Sequence, residues 1–160
     1  MISSDSSERR RGLTLRSPAF DDGSPIPRTH GYATENESPP LRIGGVPPGT
    51  ASLALVMDDP DAVKPAGKVW DHWLVWNIDP DTDAIEAGET PPDAVEGTNS
   101  YGETGYGGPN PPDGEHTYRF LLYALDTSLD LDAGATKADL KRAIAGHVTA
   151  ETQLTGKYAP

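Results

Sequence analysis

The sequence predicts a mainly β protein on an antiparallel sheet with one or two short helices, and three observations carry that reading. ASLALVMDD (51–59), HWLVWNI (72–78) and HTYRFLLYALD (116–126) are rich in aliphatic, aromatic and β-branched residues and are bounded by Pro, Gly or Asp. Only TKADLKRAIAGHV (136–148) has a helical spacing of apolar residues. Residues 79 to 115 are dense in Gly, Pro, Asp and Thr and sustain no helix, and connections this long are usually functional or mobile.

In chain order, residues 1–12 (MISSDSSERRRG) hold a small basic cluster with no apolar stretch behind it, and are expected to be a mobile tail rather than a secretory signal. LTLRS (13–17) and LRIGGV (41–46) are expected as short outer strands. The three long segments are apolar at both parities, the pattern of strands covered on both faces, so they should form the centre of the sheet. In the helical segment Thr136 can cap the first turn, Leu140, Ala143 and Ile144 share a face, and Gly146 suits the end. No internal repeat of solenoid or propeller period occurs, and residues 13–160 are read as one domain.

Composition narrows the function. The formal net charge is -12, from 25 acidic against 13 basic residues. With only five lysines the chain cannot neutralise many phosphates, so nucleic acid is excluded as a partner. The acid is spread through Asp58, Asp59, Asp61, Asp71, Asp79, Asp81 and Asp83, as on a solvated surface. High Asp, low Lys and 35% apolar residues are also the composition of proteins from salt-adapted microbes. The absence of cysteine excludes disulfides, thiolate metal sites and cysteine nucleophiles. No apolar run is long enough for a membrane span, and a cytoplasmic location is the default expectation.

Side chains alternate along a strand, so His116 and Tyr118 face one site from the start of segment 116–126. Asp59 ends one segment and His72 opens the next; if those strands are antiparallel neighbours, both lie at one end of the sheet. An Asp, two His and a Tyr there admit three chemistries. Imidazoles and a phenol can donate to a phosphate or carboxylate while Asp59 fixes a tautomer. Two His and a carboxylate can ligate a metal, although no tight His-x-His or His-x-x-x-His spacing supports this. His with an orienting Asp can act as acid or base, but no G-x-S-x-G elbow supplies a nucleophile. Set against all three, a histidine opening a strand is commonly just a satisfied core or rim residue. His30 and His147 rank below His72 and His116, one in an irregular acidic stretch and the other after the helix-ending Gly146. GETGYGGP (102–109) lacks the Lys and the following helix of a phosphate loop.

ESPPL (37–41), GVPPGTASLALVMDDPDA (45–62), DHWLVWNI (71–78), GYGGPNPPDGEHTYRFLLYALD (105–126) and AIAGHVTAETQLTGKY (143–158), in this order, resemble the phosphatidylethanolamine-binding protein family and its prokaryotic, Raf-kinase-inhibitor-like branch. The likeness runs from about Leu13 to Tyr158. It implies an antiparallel β-sandwich with a large central sheet and a small anion-accepting pocket formed by Asp59, His72, His116 and Tyr118. It also implies a pocket wall from Gly108, Pro109, Pro111 and Pro112. The ligand would be a phosphorylated or carboxylate-bearing small molecule, a lipid head group or a phosphorylated protein side chain, bound without cofactor or metal. A hydrolase or lyase using His/Asp acid–base chemistry, with a metal as a further option, is the alternative. Two departures bear on this: Val63 stands where the family usually has Pro, and the sequence stops at Pro160, where eukaryotic members carry a longer terminal helix. Kinase inhibition and lipid selectivity are therefore not carried over, while apolar surface near the C-terminal segment could serve a homodimer.

Overall fold

The fold is that of a computed structural model, which describes residues 12–160. The expected tail therefore lies, up to residue 11, outside the described residues. The chain runs through β1 (Thr14–Arg16), β2 (Ser24–Pro25), β3 (Leu41–Gly44), β4 (Ser52–Asp59), a turn of 3-10 helix (Pro60–Ala62) and α1 (Val63–Ala66). It continues through β5 (Trp70–Ile78), β6 (Ala84–Ile85), β7 (Val95–Glu96), β8 (His116–Leu125), α2 (Lys137–Ile144) and β9 (Val148–Tyr158). The strands form a six-stranded sheet in the order β2-β9-β8-β4-β5-β7 and a three-stranded sheet in the order β1-β3-β6. All pairings are antiparallel except β2 with β9.

The three segments expected at the sheet's centre form β4, β5 and β8, and β4 sits between the other two. Every residue of β4 is buried. Its odd-numbered side chains Leu53, Leu55 and Met57 pack with Trp73, Phe120 and Leu122 under Leu15, Leu41 and Ile43 of the small sheet. Its even-numbered Ala54 and Val56 pack with Leu74 and Trp76 under Leu140 and Ile144 of α2. One large sheet thus has a strand layer on one face and a helix with loops on the other.

Coverage of both faces fails at β8. Its even-numbered residues are buried, but Thr117, Arg119, Leu121 and Tyr123 are only half-buried, because α2 lies over β4 and β5. The helix is also shorter than its apolar spacing suggests. Thr136 and Asp139 form a reciprocal capping box, the helix ends at Ile144, and Gly146 adopts φ 82°. The chain then reverses into β9, which pairs with β8 from Leu125–Val148 to His116–Tyr158. That strand carries little hydrophobic signal, since only Leu154, Gly156 and Tyr158 of its residues are buried. At Gly156 a Cβ would approach Ile26 and Phe20 to 2.6 and 2.8 Å, so the N-terminal segment lies directly on the strand's backbone.

Residues 79–115 form no sustained helix, as expected, but are fixed in place. Asn99 Oδ1 accepts from the backbone N–H groups of Tyr101 and Glu103 at 2.9 and 3.1 Å, and its Nδ2 donates to Gly105 O at 3.0 Å. Among the described residues, no helix is long and apolar enough to cross a membrane. The large apolar side chains that are exposed among them are Val63 and Val148.

Candidate functional site

The C-terminal end of β4 meets the start of β8 and the start of β5, because both neighbours run antiparallel to it. Asp59, His72, His116 and Tyr118 therefore converge on one cavity of about 180 Å³. Pro111 and Pro112 line it too, as do Trp70, Tyr101, Asn110, Ala62, Pro65 and Ala66. Gly108 and Pro109 lie outside its lining. They stand behind the wall: Gly108 N donates to Asn36 Oδ1 at 2.8 Å, and Pro109 O accepts from Tyr32 N at 2.9 Å. A Cβ on Gly108 would come within 2.1 Å of the His30 carbonyl, so this glycine is required by backbone contact.

Asp59 is held by the turn that follows it. Its Oδ1 accepts from Asp61 N at 2.9 Å, with Pro60 at the first helical position, where a missing N–H costs nothing. Asp61 Oδ2 accepts from Thr117 N at 2.9 Å, so the Asp-Pro-Asp sequence staples the β4 turn to β8. Asp59 Oδ2 in turn accepts from His116 Nδ1 at 2.6 Å.

His72 reaches this cavity through an irregularity in the ladder. Met57 pairs with Trp73, but Asp58 pairs with Asp71 and Asp59 with Trp70, so His72 is an extra residue opposite no partner. Trp73 packs on the face of the small sheet and Leu74 on the face of α2. Strict alternation would send His72 to the helix side. The bulge places His72 and Trp73 on the same face, the re-aiming for which bulges are used next to sites. His72 Nδ1 donates to Gly107 O at 2.6 Å, while Gly107 N donates to His72 O at 2.9 Å, which clips the Gly-rich segment to β5.

The electrostatics of the two histidines differ. Burial pushes His72 down to about 4 against the smaller upward pull of the Gly107 carbonyl, so the ring is neutral at ordinary pH and Nε2 carries its lone pair. For His116 burial also opposes charge, but hydrogen bonds to Asp59 and to Asp113 outweigh it and raise the imidazole above its usual value. The second of these carboxylates was not expected from the sequence. His116 Nε2 donates to Asp113 Oδ1 at 2.6 Å, so both ring nitrogens face carboxylates. Asp59 itself is raised, because its burial exceeds what the bonds from His116 and Asp61 return.

Tyr118 lies between the rings, with centroids 5.2 Å from His72 and 6.3 Å from His116. It is fully buried, and its hydroxyl has no hydrogen-bond partner among the described residues. Burial raises its ionisation far above that of a free phenol; the Asn110 backbone lies near enough to offset this a little without completing a bond. Tyr101, absent from the sequence reading, stacks on Tyr32 at 3.9 Å, donates to Gly108 O at 2.8 Å and meets His72 edge-on at 5.8 Å. A lone aromatic in an irregular segment gives no periodic signal by which to find it. Among the described residues, neither an arginine nor a lysine lines the cavity. Among the described residues, no three His, Asp or Glu side chains converge as a metal-ligand group.

The lower-ranked histidines lie elsewhere. His30 is buried, with Nδ1 2.7 Å from Glu37 O, and its carbonyl accepts from Tyr106 Oη at 2.7 Å. His147 is exposed and pairs with Asp126 at 2.8 Å.

Comparison with known proteins agrees with this architecture. The family model for phosphatidylethanolamine-binding protein matches residues 16–159. A protein of Methanothermobacter thermautotrophicus named UPF0098 is 48% identical over 151 residues, covering 91% of this chain and 98% of that one. A Mycobacterium tuberculosis relative named as a lipoprotein, LppC, is 43% identical over 148 residues, covering 91% of this chain and 72% of that one. Among solved structures, CT736 of Chlamydia trachomatis superposes with a TM-score of 0.86 at 40% identity, over 92% of this chain and 97% of its own. E. coli YbcL, described as a new member of the mammalian PEBP family, gives 0.84 at 30% identity, over 91% and 97%. With the matched region spanning nearly all described strands, the chain belongs to the phosphatidylethanolamine-binding protein family.

Proposed function

We propose that the protein is a non-enzymatic binding module whose cavity accepts a phosphoryl or carboxylate group, presented by a small molecule, a lipid head group or a phosphorylated protein side chain. The observation that carries this reading is the Tyr118 hydroxyl, buried at the cavity without a partner. A buried donor left unmade costs about 1–3 kcal/mol, and an oxyanion arriving between the two histidines would recover it. Its two carboxylates raise the His116 imidazole above its usual value and so favour its charged form, a positive charge that no arginine or lysine of the lining supplies among the described residues. His72 enters as an acceptor, because its only N–H is committed to Gly107. The preferred group thus combines a bare oxygen for Tyr118 and His116 with a protonated oxygen for His72, as a hydrogen phosphate does.

The family name of the matching model, with its phosphoryl-bearing lipid, supports the same chemistry. Each hydrogen bond to an anion contributes about 1.5–3 kcal/mol at best, so a free ion should bind weakly and the rest of the ligand must supply affinity. Acid–base catalysis is less well supported. A general base needs a lone pair, and both nitrogens of His116 face carboxylates, while His72 has no carboxylate to orient it. Calorimetric titration with inorganic phosphate and O-phosphoserine tests the reading. Binding that disappears in His116→Ala is expected; absent binding, together with phosphoester turnover that His116→Ala abolishes, would replace it with the hydrolase.

A further inference from the structure

We infer that Asp113 sets the affinity threshold of this pocket: its carboxylate is a tethered anion occupying the His116 Nε2 position, and a ligand anion enters by replacing it. The inference rests on the anion-binding reading and deepens it by naming what the ligand must displace.

Three observations place Asp113 in this role. First, it occupies the one donor position of the imidazolium that points away from Asp59, at 2.6 Å from Nε2. Second, the two carboxylates on the ring are held differently. Asp59 is buried and accepts from both His116 and the Asp61 N–H. The Asp113 side chain is 43% exposed, and among the described residues His116 is its hydrogen-bond partner. Asp113 is followed by Gly114 at φ 145°, a backbone state that L side chains rarely adopt, with open space around the position of a Cβ. Third, Asp113 does not line the inner cavity but lines an outer cleft with Asp61, Lys64 and Glu115, and His116 belongs to both. His116 is therefore common to the two spaces, with Asp113 on its outer side. Of the two carboxylates Asp113 is the exposed one, and its departure opens Nε2 to the outer cleft.

A carboxylate on a short tether competes at an effective concentration in the millimolar range or above. A free carboxylate offers Nε2 the same bond that Asp113 already makes and gains little by exchange. A phosphoryl group offers further oxygens for Tyr118 and His72. Asp113 thus weakens every anion by a common factor, and only groups with those additional contacts clear the threshold.

The test titrates the full chain with two monoanions, acetate and dihydrogen phosphate, at pH 5.5, followed by NMR of the His116 ring. Wild type, Asp113→Ala and Asp113→Asn are compared. Both anions should bind Asp113→Ala more tightly than wild type by the same factor, roughly tenfold, the order expected on removing a tethered competitor. Asp113→Asn should fall between, because its amide oxygen still reaches Nε2 without the charge. It also retains the size of the side chain, which guards against a folding defect. Wild-type binding that stays unchanged or weakens in both variants would overturn the proposal and leave the anion-binding reading standing. No binding to wild type or to Asp113→Ala would overturn both.

Discussion

Asp58 and Asp59 are neighbours on β4, both buried, and they point to opposite faces of the same sheet. Asp58 faces α2 and is saturated. Arg119 Nε and Nη2 donate to its two oxygens at 2.8 Å each, and Lys137 Nζ donates to it at 2.7 Å while also reaching Asp71 at 3.0 Å. Its burial works against the charge, but these bonds prevail and hold the carboxyl below its usual range. Asp59 faces the cavity and is undersupplied, so burial prevails and the carboxyl is raised. One strand thus carries a closed ion network on one side and an unfinished polar site on the other. On the helix face two cationic side chains hold the buried carboxylate; on the cavity face Asp59 has one backbone N–H and one imidazole, and the hydroxyl of neighbouring Tyr118 has no partner among the described residues.

The contrast breaks most visibly at Asp58. Asp58→Ala leaves Arg119 and Lys137 without their shared acceptor and should cost about 3 kcal/mol in urea unfolding, as expected for removing one side of a buried pair. Stability equal to wild type would mean that the network contributes nothing to the fold. Next is the pH response of binding. The raised His116 keeps its charge below its own pKa and loses it as pH rises through that value, whereas His72, lowered to about 4, is already neutral when that happens. Affinity for dimethyl phosphate should therefore be level in acid and fall by up to about tenfold per pH unit above the His116 titration, with one proton linked. His116→Gln should flatten the curve, and a two-proton slope would place His72 among the charged groups.

Asp59→Asn should cost about 1 kcal/mol or less, because Asn serves as well at a helical cap and a carboxylate whose pKa burial has raised gives little stability at neutral pH. The same variant should lower the His116 titration, measurable by NMR; a loss as large as that of Asp58→Ala would erase the distinction between the two residues. Last is Tyr118→Phe, which removes an unpaired buried hydroxyl and should raise stability by about 1 kcal/mol while weakening anion binding. A clear loss of stability would mean that the hydroxyl has a protein partner after all.

Much of this site is legible in the sequence because it depends on strand parity and strand ends. His116 and Tyr118 share a face by alternation, and Asp59 and His72 share an end by antiparallel pairing. The features that escaped depend on contacts between segments far apart in the chain, or on local irregularity. Asp113 looks like any acidic turn residue until the Gly/Pro segment folds over His116. Gly108 and Pro109 read as cavity wall, yet they support residues 30 to 36 from behind. β9 hid because its long pairing is with β8 alone, β2 reaching only Gly156 and Lys157 on the other side, and such a strand needs few apolar residues. The face of His72 was unreadable for a simpler reason, since nothing in DHWLVWNI marks where alternation skips.

That skipped residue makes the pocket a matter of chain length as much as of composition. Deleting a single residue between Trp70 and Trp73 would restore the regular ladder without removing the Asp59 turn or β8. No imidazole would then stand opposite Tyr118 on the cavity side. An insertion or deletion at this point would thus dismantle the pocket while leaving every other lining residue in the chain.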